Sequence, residues 1–455
     1  MHHPLVAGDE SHQMSPGRPR RPAVRTVDRI AIPFFYVVLV IAAFNTVLRM
    51  DVEDSITLYY LITPVIALVL LMLTRWFFSW LIIVSLISVY AVLTARAFGT
   101  PQYFYLSQLA FYSFLLCFFG GLNFLRISDP NFSRNIMRML WFLLAAAFFF
   151  AIGERVTGMR LPNLPTTEAF YLIGYFFTAN DIALFISAAL AVILIRPGHL
   201  VIKIVATVGV FVLNIVNDAK AATLAILIIM VVFFASQLTS KLRLPPLVLG
   251  GVAALTMFTI IMGGQMIDVQ IGGVDFNLYE LLAEPVSRIV NLNAYNMAGS
   301  IFDRSDALII NLREFIGTNG LGMGPGGSTY VLSLPENRLV TAESMHNGVA
   351  ELAVEMGLVF IIPFGLWIYR VCSRMLQVQP SRGDLARFAF LCGLPFLAVT
   401  QSSGYISNYA SWMVVFLFVL APDGFWGSSQ FRRSRPAAMV YRRERMPWET
   451  GGFVR

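Results

Sequence analysis

The sequence predicts an all-α polytopic membrane protein of about 12 transmembrane helices, with one large, partly helical extracytoplasmic loop. Three observations predict it. Apolar residues make up 57% of the 455 positions and charged residues 13%, with mean hydropathy +0.70. A soluble domain carries about 25% charged residues, so this chain lacks the polar surface to face water all round. The apolar residues gather into runs of about 20, the length a helix needs to cross the hydrocarbon core. The basic residues favour one set of alternate connections, as orientation in a bilayer requires.

Taken in order, residues 1–29 form a polar, Arg- and Pro-rich tail, too long and charged for a cleaved signal, so the first apolar run is an uncleaved span. Spans 1–9 occupy 30–263, at about 30–48, 56–74, 77–95, 103–125, 138–153, 172–195, 200–217, 219–238 and 245–263. The sixth belongs to a stretch longer than one span needs, interrupted by Thr178-Ala179-Asn180-Asp181, which predicts a tilted or broken helix. The loop covers 264–348. Spans 10–12 fill 349–425, at about 349–369, 386–402 and 409–425, and a second basic tail covers 426–455. Short connections favour antiparallel neighbours packed as hairpins. The three cysteines, Cys117, Cys372 and Cys392, lie in or beside apolar runs and read as buried free thiols.

With the N-terminus inside, 24 of the 33 Lys and Arg residues fall on the cytoplasmic side, in the tails and around Arg75, Arg126, Arg196, Lys241 and Arg370. An even number of spans keeps both tails inside and places 264–348 outside. The tails, disordered in this reading, sit near anionic headgroups, which accounts for the net charge of +7 without nucleic acid as a partner. The bilayer itself, crossed many times, is the expected partner.

Elimination then isolates candidate chemistry. Of five histidines, His2, His3, His12 and His199 fall on the cytoplasmic side, leaving His346 at the end of the outer loop. If the surrounding stretch is helical, Glu343, Asn347, Glu351 and Glu355 recur every four residues as one polar stripe, with His346 beside it. A His in a first helical turn is biased to neutral imidazole, which suits a general base. The alternative is an interfacial His–Glu pair capping a helix. Arg288 and Arg304 lie in amphipathic stretches of the loop, and Lys220 opens a span at its outer end. Such cations would bind a diphosphate if they converge, Arg through a two-pronged fork and Lys as a point charge; otherwise they are solvated charge. Gly322, Gly324 and Gly327 satisfy G-x-G-x-x-G, yet no strand precedes them and Pro325 interrupts them, which excludes a dinucleotide site. They read as a tight turn permitting close backbone approach. Asp51-Val52-Glu53-Asp54 reads as solvated loop charge, and no Cys/His cluster has metal-ligand spacing.

The run from Phe302 to Trp367 resembles the bacterial O-antigen ligase/polymerase family in Arg304, the Gly320–Gly326 turn, His346-Asn347, Glu351 and Glu355-Met356-Gly357. Two weaker matches are Phe177–Asp181, which contains Asn180, and Asp218–Ala222, where Lys220 stands in place of the family's usual Arg. The charge is kept there and the fork lost. The resemblance implies a GT-C-like architecture and an inverting, metal-independent glycosyl transfer at the periplasmic face, without a cofactor. It implies an undecaprenyl-diphosphate-linked oligosaccharide as substrate, with Arg288, Arg304 and Lys220 on the diphosphate, His346 and Glu343 catalytic, and Asn347, Glu351, Gly322, Gly324 and Asn180 supporting. A chain-length regulator or export complex is an expected partner. The preferred activity is polysaccharide polymerase, for exopolysaccharide, capsule or O-antigen; the alternatives are a ligase acting on lipid A-core and a flippase. The flippase is disfavoured because no repeat relates the halves and the polar residues gather at one interface.

Overall fold

The computed structural model describes residues 26–44, 75–161, 171–176, 178–217, 219–241, 268–271, 274–277, 300–337, 345–377, 380–400 and 408–427. The helices before the loop are α1 (Thr26–Ala43), α2 (Arg75–Phe98), α3 (Gln102–Ser128), α4 (Phe132–Thr157), α5 (Ala179–Ile195), α6 (Leu200–Val216) and α7 (Lys220–Lys241). The loop contributes β1 (Asp268–Ile271), β2 (Val274–Asn277), α8 (Ser300–Gly317) and α9 (Gly327–Ser333). Then come α10 (Gly348–Met356), α11 (Leu358–Met375), α12 (Arg382–Thr400) and α13 (Tyr409–Leu420). The spans expected at 56–74 and 245–263 lie outside the described residues, as do nearly all of both tails, Asp51–Asp54, Arg288 and Glu343.

The all-helical expectation holds apart from one antiparallel hairpin, β1 with β2, in the register Ile271↔Val274 to Asp268↔Asn277. Among the described residues five helical segments are long and apolar enough to cross a membrane: Trp80–Phe98, Gln102–Ser128, Phe132–Thr157, Lys220–Leu238 and Leu358–Met375. Shorter apolar helices add Ile30–Ala43, Ala179–Ile195, Leu200–Val216 and Tyr409–Leu420.

Two expectations are corrected. Among the described residues the sixth span is one unbroken helix. It starts at Ala179 with Thr178 as its N-cap, whose hydroxyl accepts from the Asp181 amide at 3.2 Å. Thr178, Asn180 and Asp181 therefore begin the helix, and the Thr178 oxygen satisfies an orphan amide there. The tenth span does not run from 349 to 369. Gly357, at φ +55, separates short α10 from α11, and only α11 is long enough to cross.

Burial is arranged as in a lipid-facing bundle. Helix α5 is apolar and buried nearly all round, packed among α4, α6, α7, α12 and α13. Helices α7 and α12 approach closely because small residues line their contact: Ala222, Ala225, Ala386 and Ala389 are buried, and Gly393 faces Ile229 and the Ala225 carbonyl. The outer helices turn apolar residues away from the protein, as in Leu200, Val201, Val205, Val208 and Val212 of α6, and Ile362 and Leu366 of α11. Large contiguous apolar faces of this kind suit contact with a membrane or with another protein.

Hydrogen bonds tie the helix ends into two groups. At one end, Arg196 donates to the Ser133 carbonyl (3.0 Å), Arg382 to that of Ile195 and Arg387 to that of Ala421 (2.6 Å), while Tyr36 donates to Asp129 (2.8 Å). At the other, Glu154 accepts from the Ile173 and Gly174 amides (2.9 and 3.1 Å), Asn217 binds the backbone of Leu172, and Asn408 donates to the Asp181 carbonyl (3.1 Å). Every connection in the first group is one that the basic residues assign to the cytoplasm, and every one in the second is assigned outside.

Candidate functional site

The second group of ends also holds the loop residues, and their anchor is Glu355. Helix α10 carries two carboxylates one turn apart, Glu351 and Glu355, both buried. Glu355 accepts from the Tyr112 hydroxyl of α3 at 2.6 Å and from the Ser328 hydroxyl at 2.5 Å and amide at 3.3 Å. Ser328 lies in the first turn of α9, where orphan amides and the helix dipole favour an anion. One side chain thus joins the bundle, α9 and α10.

The glycine turn closes the other side. Its Met323 and Gly324 amides donate to the Val354 and Glu355 carbonyls at 2.9 and 3.0 Å, satisfying the end of α10. Gly322 and Gly324 hold φ of +91° and +76°, and a Cβ would strike the Glu355 carbonyl at the first and the Ala95 backbone at the second. The turn's bare backbone is therefore needed for packing against α10 and α2. Tyr90 donates to the Leu321 carbonyl, and Thr100 to that of Met323 at 3.3 Å. Met323, Val331, Met345 and Val354 form a small apolar core beneath.

His346 stands at the rim of this assembly, half-buried, at φ +48°. It does not lie in the first turn of a helix, as the sequence predicts. Asn347 is the N-cap of α10, its side chain accepting from the Ala350 amide at 3.1 Å, so His346 immediately precedes the helix. The four-residue stripe is corrected accordingly: Glu351 and Glu355 lie on the helix, Asn347 caps it, and Glu343 lies outside the described residues. A left-handed backbone at a non-glycine residue costs about 1–3 kcal/mol and gathers at functional positions.

Helix α10, nine residues long, is too short to cross a membrane, and its carboxylates are buried. Burial, then the neighbouring Glu355, pushes the Glu351 carboxyl up to about 8. Burial raises Glu355 as well, opposed by its bonds from Ser328 and Tyr112. One oxygen of Glu351, Oε2, is buried without a hydrogen-bond partner among the described residues.

The remaining sequence candidates are spread around this centre. Arg304 lies on α8, which packs against α9 and α10, and helical periodicity puts position 304 on the same side of α8 as buried Ala307 and Asn311. Lys220 is the first residue of α7, half-buried, and α12 packs against both α7 and α10. Asn180 lies half-buried in the first turn of α5. The structure thus sets Asn347 and Glu351 next to His346 at the start of α10, Gly322 and Gly324 against the far end of that helix, and Lys220 and Asn180 on bundle helices. Sequence reading missed Tyr112 and Ser328. Neither carries a local signal, because a Tyr in an apolar span and a Ser after a glycine turn are both ordinary. Among the described residues no group of three or more His, Cys, Asp and Glu is arranged to hold a metal.

Compared with known proteins, the sequence matches no family model and no curated protein.

Proposed function

We propose that this chain is a polysaccharide polymerase that transfers a growing undecaprenyl-diphosphate-linked glycan onto the next lipid-linked repeat unit at the periplasmic face. In this reading twelve spans, both tails inside and a GT-C-like arrangement complete the bundle in a bacterial inner membrane. The observation that carries the proposal is the assembly at one end of the helices. His346-Asn347, the buried acids of α10 and the glycine turn meet at the end that the basic residues assign to the outside.

The chemistry assigns each group a task. His346 takes the proton of the acceptor hydroxyl as its oxygen attacks the anomeric carbon of the donor. The bond from that carbon to the diphosphate breaks with inversion, and the lipid diphosphate leaves with the electron pair. Arg288, Arg304 and Lys220 hold the departing charge, and Glu343 orients the imidazole. Buried α10 fixes the backbone on which His346 is presented.

The test is His346→Ala in cells whose glycans are resolved by size and by lipid anchor. Single repeat units with loss of long chains, from a protein that is still expressed and folded, are the expected result. Unchanged glycans would overturn the catalytic assignment. Long chains retained on the polyprenyl diphosphate would mark a ligase instead.

A further inference from the structure

Helix α8 has two faces that do not suit a helix in water. Its buried side, Ala307 and Asn311, packs on α9 and α10. Its opposite side carries Ile309, Leu312 and Ile316 at i, i+3 and i+7, with Ile309 54% and Ile316 73% exposed. The stripe does not stop with the helix. Leu321, 53% exposed, follows it in the glycine turn. The Gly320 carbonyl accepts from the Leu358 amide at 3.1 Å, which ties this turn to the start of α11. There Leu358, Ile362 and Leu366 continue along the outward face of a helix long and apolar enough to cross a membrane.

The apolar surface of α8 is therefore continuous with a surface that lipid covers. Helix α8 cannot itself cross, because Asp303, Arg304, Asp306, Arg313 and Glu314 fall within its 18 residues. A helix with an apolar stripe, a charged remainder and modest hydrophobicity is stable lying in the interface, its apolar side about 5–10 Å into the headgroup–acyl boundary. Arg313, exposed on the flank of the stripe, has the length to keep its charge among headgroups.

We infer that α8 is an interfacial helix, seated on the bilayer leaflet at the α10–α11 end through Ile309, Leu312, Ile316, Leu321 and Leu358. The occupant of this face is lipid, not a second protein. The inference rests on the bundle lying in a bilayer and is independent of any glycan chemistry. It has a consequence for the site: the backbone of α8, and with it position 304, is held at headgroup depth, the level of a lipid-borne phosphate.

The test uses the full chain with Cys117, Cys372 and Cys392 replaced by Ala, reconstituted in nanodiscs of phosphatidylethanolamine and phosphatidylglycerol. Nitroxide labels are placed singly at Ile309→Cys, Leu312→Cys and Ile316→Cys. Ile362→Cys, one turn into α11, serves as the lipid reference and Asp306→Cys as the water reference. The expected result is relaxation by oxygen, and loss of relaxation by a water-soluble nickel chelate, to the level of the Ile362 label. Relaxation by the chelate at the level of Asp306 would place the stripe in water and overturn the inference. Exclusion of both reagents would show the stripe covered by protein, whether this chain or a second copy, and would overturn it equally.

Discussion

At the scale of single residues, the two acids of α10 have different tasks and respond differently to substitution. Glu355 is satisfied from three donors, so Glu355→Ala strands the Tyr112 and Ser328 hydroxyls in the interior. A stranded buried group costs about 1–3 kcal/mol, and thermal unfolding in detergent should show a clear fall in Tm. Glu355→Gln, which keeps an acceptor, should lose less. Glu351 is raised by burial to about 8, so the folded state retains a proton that the unfolded chain releases at the ordinary carboxylate value. Stability then falls as pH rises from about 4.5 to about 8, because the unfolded state binds fewer protons across that window. Glu351→Gln removes this titration. The pH dependence of Tm should flatten there, and an unchanged slope would refute the assignment. The location of His346 was legible by elimination from five histidines. Its backbone setting was not, since the N-cap at Asn347 depends on where α10 begins, and Gly357 decides that the short helix is separate from the span.

At the scale of elements, the glycine turn and α10 form one unit. Gly324→Ala adds a methyl against the Ala95 backbone at a φ of +76°, so the turn must leave α2. The left-handed backbone alone costs about 1–3 kcal/mol. Gly317→Ala is the control, because its Cβ would meet nothing within 4 Å. Melting of the two variants should separate them, with Gly317→Ala near the parent protein. The sequence exposed the turn plainly, since G-x-G-x-x-G without a preceding strand already argued for close backbone approach. The partner of that approach was hidden, as Ala95 and Glu355 are distant in the chain. The hairpin of β1 and β2 did have a signal in the alternation on either side of Gly272-Gly273. Its period of two differs from the 3.6-residue period of the spans around it.

At the scale of the whole molecule, composition and charge bias made the class legible before any contact was known. Apolar runs give helices because backbone groups in lipid have no other partner. The grouping of helix ends required the fold, and it agrees with the parity of the charge bias at each described connection. Glu336 lies exposed in the loop and Arg134 exposed in the first turn of α4. In spheroplasts a membrane-impermeant maleimide should therefore label Glu336→Cys directly and Arg134→Cys only after permeabilisation. The reverse pattern would invert the bundle and remove His346 from the periplasm.

The central claim is that the His346 end of the bundle transfers glycan between lipid diphosphates. The most direct measurement uses purified protein in proteoliposomes supplied with a labelled undecaprenyl-diphosphate repeat unit. The wild type should build a ladder of longer lipid-linked glycans and release undecaprenyl diphosphate, while a folded His346→Ala protein leaves the single unit unchanged. Equal ladders from both proteins would contradict the account.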